Sequence, residues 1–282
     1  MSRKCKEALR KALKLLEYYY NYCRNIIKFG LITPIDETKS KILIIGNGPS
    51  AGVLNFDYYS SLGYEFMCVN DFALKKELLH KLKPRYYCCI DGAMYTKKNL
   101  ETNKDVIAVY DALNEIDWGM IYVCRYGQTP PITNPNIKIT HVNSCVLTDS
   151  FMKLQFSKYR KNKACSGFQN VICCCLYYAI TSNCKDILLT GVEFDMHKEL
   201  SVELNNDVIR EYRHFYGVKR VNITEEGQIA KGEIYKYFYF SYLTLYQYKV
   251  LADYCNYMKA NVKNLTINST IDSIPKMPPV NV

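Results

Sequence analysis

The chain has 282 residues, 49% of them apolar, and a formal net charge of +10. That apolar content is enough for a full core and excludes wholesale disorder. No apolar run reaches the ~18–20 residues that a membrane span requires. The N-terminus has no short apolar segment followed by a small-residue cleavage site, so the expectation is a cytoplasmic protein.

The charge is concentrated at the start. Residues 1–30 carry eight basic side chains, namely Arg3, Lys4, Lys6, Arg10, Lys11, Lys14, Arg24 and Lys28, against Glu7 and Glu17. Leu9, Leu13, Leu16, Tyr20 and Ile27 recur among them at helical spacing. A basic amphipathic helix of this kind reads as a membrane-surface or partner-docking element. A helix packed on its own domain with a solvated outer face fits the pattern equally. The rest of the chain carries little net charge and has no basic–aromatic cluster, so nucleic acid is not an expected partner.

After Thr33-Pro34 strands and helices alternate. Residues 41–46 (Lys-Ile-Leu-Ile-Ile-Gly) predict a buried strand that stops at Gly46-Asn47-Gly48-Pro49-Ser50. Gly46 and Gly48 allow close backbone approaches, and Pro49 suits the first turn of a helix. Asn47 and Ser50 add short polar groups where ligands of open α/β sheets bind. The third residue after Gly48 is Ala51, so the dinucleotide fingerprint Gly-x-Gly-x-x-Gly is incomplete.

Tyr64 to Asn70 predicts a second strand, Phe72 to Lys83 a helix, and Tyr86 to Ile90 a third strand ending at Asp91-Gly92. Val106 to Tyr110 and Met120 to Cys124 read as further strands. Ser166 to Ser182 reads as an apolar helix. Asp186 to Thr190 reads as a central strand ending at Gly191-Val192-Glu193-Phe194-Asp195. Residues 197–232 lose periodicity and gain charge, as a lid would. Ile234 to Met258 predicts a long Tyr-rich helix and Val262 to Ile267 a final strand. The expected fold is α/β: a basic helix and linker over 1–38, then a single Rossmann-like domain over 39–282 with a mostly parallel sheet. Asn47, Asn70, Asp91 and Glu193 each follow a strand, and in such a sheet those ends converge on one crevice.

Thirteen cysteines suggest disulfides or metal, but none form a C-x-x-C pair, and Cys173, Cys174 and Cys175 are consecutive. They read as small buried hydrophobes in a reducing compartment. The sequons at Asn222, Asn264 and Asn268 carry no weight without secretion.

Four features occur in the same order as in bacterial lipooligosaccharide sialyltransferases, the family 42 glycosyltransferases. They are the strand with its Gly-Asn-Gly-Pro-Ser turn, Asn70, the segment Ala164-Cys165-Ser166-Gly167, and Gly191-Val192-Glu193-Phe194. The chain resembles that family over roughly residues 40–272. It also resembles polysaccharide-locus relatives with a His-Phe-Tyr after the Gly-Val-Glu-Phe strand, here His214-Phe215-Tyr216. The resemblance implies one Rossmann-like domain, a lid over a CMP-linked sialic acid or other 2-keto sugar acid such as Kdo, no metal or other cofactor, and inversion at the anomeric carbon. It implies that Asn47, Asn70, Ser166 and Gly167 hold CMP. Three positions depart from the family: Asp91 stands for Asn, Lys163 for Arg, and Asp195 for the Tyr that binds the leaving phosphate. The family's base falls near Tyr242, which is no base.

The chemistry needs a base for the acceptor hydroxyl, and histidine titrates in the right range. His80 and His141 read as structural, whereas His197 and His214 flank or lie in the lid. The candidate catalytic residues are His214, Asp195 and Lys163. The candidate nucleotide-binding residues are Gly46, Asn47, Gly48, Ser50, Asn70, Asp91, Ser166, Gly167 and Glu193. Tyr212, Tyr216, Tyr235 and Tyr237 offer hydroxyls for a leaving phosphate. The expected partners are a CMP-sugar donor, a glycan or glycolipid acceptor, and an anionic inner-membrane surface met by residues 1–30. Two other readings stay open: a Mg²⁺-dependent pyrophosphokinase-like enzyme using Asp71, Asp91, Glu193 and Asp195, and a non-catalytic membrane-docking scaffold.

Overall fold

The apolar run after Ser40 forms the strand the sequence predicts, and four of its five residues are buried. The structure is a computed structural model describing residues 2–38, 40–215 and 217–282. Its elements, in chain order, are α1 (Arg3–Phe29), β1 (Lys41–Ile45), α2 (Phe56–Ser61), β2 (Tyr64–Val69), α3 (Lys76–Leu82) and β3 (Tyr86–Cys88). Then come α4 (Lys97–Thr102), α5 (Lys104–Asn114), β4 (Met120–Arg125), β5 (Ile137–Val142), α6 (Met152–Arg160), α7 (Val171–Thr181) and β6 (Asp186–Thr190). The chain ends with β7 (Leu200–Val202), β8 (Val208–His214), β9 (Gly217–Asn222), α8 (Tyr235–Tyr257) and β10 (Asn261–Asn264).

Seven strands form one sheet in the order β10-β6-β1-β2-β3-β4-β5. Every pairing in it is parallel, with Ile45 opposite Thr190 on one side of β1 and Ile44 opposite Met67 on the other. Parallel strands need both faces covered. The buried part of α7, the inner sides of α6 and α8, and Tyr18 of α1 cover one face. Residues of α2, α3 and α5 cover the other. The strand order reverses direction at β1, between β6 and β2, so the ligand crevice of such a sheet opens at the ends of β1 and β6.

Several expectations change. Val106 to Tyr110 is helix, not strand. Asn103 accepts hydrogen bonds from the Asp105 and Val106 N–H groups, and Val106, Val109, Tyr110 and Leu113 are buried at helical spacing. The Phe72–Lys83 helix is a short 3₁₀ turn over Asn70–Leu74 followed by α3. The helix expected from Ser166 begins at Val171, capped by Asn170, whose side chain accepts from the Cys173 N–H. The edge strand β5 has no counterpart in the expected elements.

The expected lid is also more ordered than its aperiodic sequence suggests. β7, β8 and β9 form an antiparallel sheet. It carries a small core of Val208, Val221, Ile223, Ile229 and Tyr237. Asp207, only 5% exposed, is paired with Lys231 at 3.1 Å and fastens the base of this sheet.

α1 packs on the domain through the face opposite its leucine stripe. Tyr18 is buried, and its hydroxyl donates to the Lys163 carbonyl at 3.0 Å. Asn25 and Phe29 also contact the domain. Leu9, Leu13, Leu16, Tyr20 and Ile27 all face outward, 51–86% exposed. The thirteen cysteines are free thiols, and eleven are buried. Burial pushes the Cys165 thiol up to about 12, so it stays protonated and apolar.

Candidate active site

The exits of β1 and β6 are drawn together more tightly than any side chain would permit. A Cβ on Gly46 would lie 2.3 Å from the Gly191 carbonyl oxygen. The Gly48 N–H donates to that same carbonyl at 3.0 Å, and the Gly46 N–H to the Thr190 carbonyl at 2.8 Å. Gly191 itself has φ +66°, a conformation glycine adopts without strain. Ser50 is used inside this junction. Its hydroxyl accepts from the Gly191 N–H at 3.1 Å and meets the Thr266 hydroxyl at 3.0 Å. Thr266 in turn accepts from the Val192 N–H. Ser50 therefore ties together the ends of β1, β6 and β10.

Three acceptor oxygens on residues that follow β1, β2 and β6 have nothing to accept. Asn47 Oδ1, Asn70 Oδ1 and Glu193 Oε2 are buried and have no hydrogen-bond partner. Buried polar atoms are nearly always paired, so three together at neighbouring strand ends call for a ligand with donors. The other Glu193 oxygen accepts from the Ser50 N–H at 2.7 Å. Its free oxygen stands where a Cβ on Gly48 would be, 1.6 Å away, so only glycine admits this carboxylate. Asn70 has φ +46°. Tyr87 of β3 holds that turn by donating to the Asn70 carbonyl while accepting from the Ala73 N–H.

Ser166 and Gly167 lie in a cleft of about 540 Å³ that also takes in Arg125, Lys14, Gln169 and Gln247. Gly167 has φ +93°, and a Cβ there would meet the Gln247 amide at 2.6 Å. Arg125 closes β4. One of its nitrogens donates to the Phe168 carbonyl at 2.6 Å, while its buried Nε has no partner. Lys14 comes from α1. Sequence reasoning missed both cations. Arg125 ends a strand in the same manner as Asn47, so its signal was available, whereas Lys14 was submerged in the charge of α1.

The remaining candidates are spread more widely. Asp91 is exposed and caps its own turn through the Ala93 N–H. Lys163 is exposed beside α1, where its carbonyl receives Tyr18. Asp195 sits after β6, half-buried, 3.9 Å from Lys198. Tyr216 lies outside the described residues.

His214 ends β8 at the tip of the β8–β9 hairpin, and the next residue bonds the turn after β1. The Phe215 N–H donates to the Asn47 carbonyl at 3.0 Å. His214 stacks against Tyr212 with ring centroids 6.5 Å apart. It lines a cleft of about 460 Å³ with Asp71, Asp105, Lys219 and Gln228. Burial raises the Asp71 carboxyl above its ordinary value and Asp105 adds to this, while a charged His214 opposes it. The carboxylate of Asp71 thus lies within electrostatic reach of the His214 ring. Among the described residues, no group of three or more His, Cys, Asp or Glu side chains could hold a metal ion.

No family model and no curated protein sequence matches the chain. Solved structures do. The chain is similar to the sialyltransferase CstII from Campylobacter jejuni in complex with CMP-3FNeuAc, at 16% identity and TM-score 0.41, over 85% of this chain and 86% of that one. It is similar to CstII with a trisaccharide acceptor and CMP, at 18% identity and TM-score 0.43, over 86% and 88%. It is similar to the monofunctional α-2,3-sialyltransferase Cst-I of Campylobacter jejuni, at 18% identity and TM-score 0.43, over 87% and 82%. At such values no residue's role is transferred from these structures, and the site stands on its own geometry.

Proposed function

We propose that the protein is an inverting, metal-independent glycosyltransferase that moves a 2-keto sugar acid, such as sialic acid or Kdo, from CMP to a surface glycan. The observation that carries this reading is the set of three unpartnered acceptors, Asn47 Oδ1, Asn70 Oδ1 and Glu193 Oε2, on residues that follow the neighbouring strands β1, β2 and β6. A ribose supplies hydroxyl donors, and a carboxylate beside the first βα turn suits a ribose hydroxyl. Cytosine adds an exocyclic amine where uracil has a carbonyl oxygen. The phosphate and sugar carboxylate are anionic, and Arg125 and Lys14 border the adjoining cleft. The carboxylate of Glu193 already occupies the Ser50 N–H, which favours nucleoside over phosphate at the glycine turn.

In the reaction His214 takes the proton of the acceptor hydroxyl. That oxygen bonds to the anomeric carbon as the bond to the CMP phosphate breaks, and CMP departs with the electron pair. The hairpin carrying His214 covers the crevice and keeps water from the donor. The outward stripe of α1, with Lys6, Arg10, Arg24 and Lys28 along one side, suits an anionic membrane bearing a glycolipid acceptor. The position would be peripheral, on the cytoplasmic face.

Thermal shift with CMP, UDP and ATP, each with and without Mg²⁺, tests the reading. A ligand that binds the native state raises the melting temperature. CMP alone should do so. A shift confined to ATP with Mg²⁺ would overturn the proposal in favour of a pyrophosphokinase-like enzyme.

A further inference from the structure

α1 is sorted around its circumference more strictly than its packing demands. Tyr18 faces the domain and the leucine stripe faces away, which leaves two flanks. One flank is apolar. Leu15 and Tyr22 pack against the core there, and the Lys158 ammonium lies 5.2 Å from the centre of the Tyr19 ring. At about 100° per residue the other flank holds Arg3, Lys6, Arg10, Lys14, Arg24 and Lys28, six of the eight basic residues of the helix.

On this basic flank a cleft of about 430 Å³ lies between α1 and the loop after β5. Lys14, Asn21, Arg24 and Asn25 line it from the helix, and Ser144 and Thr148 from the loop. Asn25 donates its amide to the Cys145 thiol at 3.1 Å, a weak acceptor. Burial raises that thiol above its ordinary value, and Asn25 and the Arg24 charge act against the rise, so the guanidinium is felt inside the cleft. Arg24 is paired with no carboxylate among the described residues. Lys14 meets Glu17 at 3.3 Å, but the two side chains are 46% and 63% exposed. A surface pair of that kind holds its partners weakly.

The cleft also borders the outward stripe. Arg24 lies four residues after Tyr20 and three before Ile27, and residues so spaced share one side of a helix. The geometry points to a phosphate-binding site here, filled by the headgroup of a membrane lipid whose acyl chains lie along the stripe. Phosphate oxygens accept from a guanidinium in pairs and from amides and hydroxyls singly. A free phosphate would use the cleft and leave the stripe in water, whereas a lipid uses both. The phosphate site stands on the cleft alone. The lipid as its carrier rests on the membrane reading of α1.

Flotation of the full chain on phosphatidylcholine vesicles tests this, with phosphatidic acid or, at equal surface charge, oleate added to them. The chain should bind the phosphatidic acid vesicles more tightly. Arg24→Gln should weaken that binding by about tenfold or more, the scale of a charge-assisted hydrogen bond. Asn21→Ala removes no charge, and should weaken it about threefold with oleate vesicles bound as before. Lys6→Gln, on the same flank but outside the cleft, should weaken both kinds alike, by about fivefold for one surface charge. All three variants should keep the parent's melting temperature and CMP affinity. Equal binding to both vesicles, with Asn21→Ala neutral, would reduce the flank to diffuse charge, and would overturn the site while leaving the membrane reading of α1 intact. Glycerol 3-phosphate bound as tightly in calorimetry as the phosphatidic acid vesicles would overturn the lipid. Loss of CMP affinity in Arg24→Gln or Asn21→Ala would make the cleft part of the donor site, since Lys14, Ser144 and Thr148 line both, and would overturn it too. If neither vesicle is bound, the lipid and the membrane reading of α1 fail together.

Discussion

The backbone N–H of Phe215 donates to the carbonyl oxygen of Asn47 across 3.0 Å, joining the tip of the β8–β9 hairpin to the turn after β1. The Phe215 side chain reinforces the joint. It covers Gly52, and its ring lies 5.9 Å from that of Phe72. The hairpin tip that carries His214 is thereby joined to the turn after β1.

Asn47→Ala should weaken CMP binding by about 1–3 kcal/mol, the penalty for removing one partner of a buried hydrogen bond. Calorimetry measures it directly. Because Asn47 Oδ1 has no partner in the unliganded protein, the same change should leave the melting temperature without CMP unchanged or raised. An equal loss of stability with and without CMP would assign Asn47 to the fold instead.

The two faces of α1 should respond differently to mutation. Tyr18→Ala empties a buried position and breaks the bond to Lys163, so it should cost about 3 kcal/mol of stability. Leu13→Ser with Leu16→Ser changes only the outward stripe and should leave the melting temperature alone. Flotation with vesicles containing anionic lipid should then fall sharply for the double variant. Retention on vesicles would show that the stripe does not meet lipid.

Asp71 gives a pH signature. Burial, with a smaller contribution from Asp105, raises its carboxyl above the ordinary value, so the folded state binds the proton more tightly than the unfolded chain does. Stability from this group is therefore fully present below the unfolded value and lost as pH rises through the folded one. Asp71→Asn should be more stable than the parent at pH 7, with the two melting curves converging in acid. A difference that grows toward low pH would mean the carboxylate is held by a partner rather than penalised.

The sheet was legible because its central strands are unbroken apolar runs ending at polar turns, as in Lys41–Ile45 and Asp186–Thr190. β5 was not, because an edge strand alternates and its Lys138 and His141 hide the pattern. Val106–Tyr110 was misread because five residues cannot tell a buried strand from one face of a helix. The cap at Asn103 and the burial of Leu113 three turns on decide it. Among the candidate site residues, Asn47, Asn70 and Glu193 stand out in the sequence by their places after strands. Their unpartnered oxygens are a property of packing, which no local pattern encodes. Arg125 and Lys14 reach one cleft from elements more than a hundred residues apart.

His214 is the proposed base. The ring sits on the hairpin residue before Phe215, in a cleft with Asp71 and beside Tyr212. A base with this role loses roughly 10²–10⁴-fold in turnover when removed. His214→Ala should show that loss with a CMP-sugar donor, while CMP affinity changes little, since the proposed role puts the ring against the acceptor rather than the nucleotide. Phe215→Ala provides the contrast. It leaves the imidazole in place but weakens docking of the hairpin, so it should lower turnover less, and raise hydrogen exchange across residues 208–222 and the Asn47 turn together. Asp71→Asn should retain CMP binding. If His214→Ala turns over normally, the base moves to His197 or Asp195, both on the segment after β6. If it loses CMP as well as turnover, His214 orders the hairpin, and its exchange pattern should then match that of Phe215→Ala.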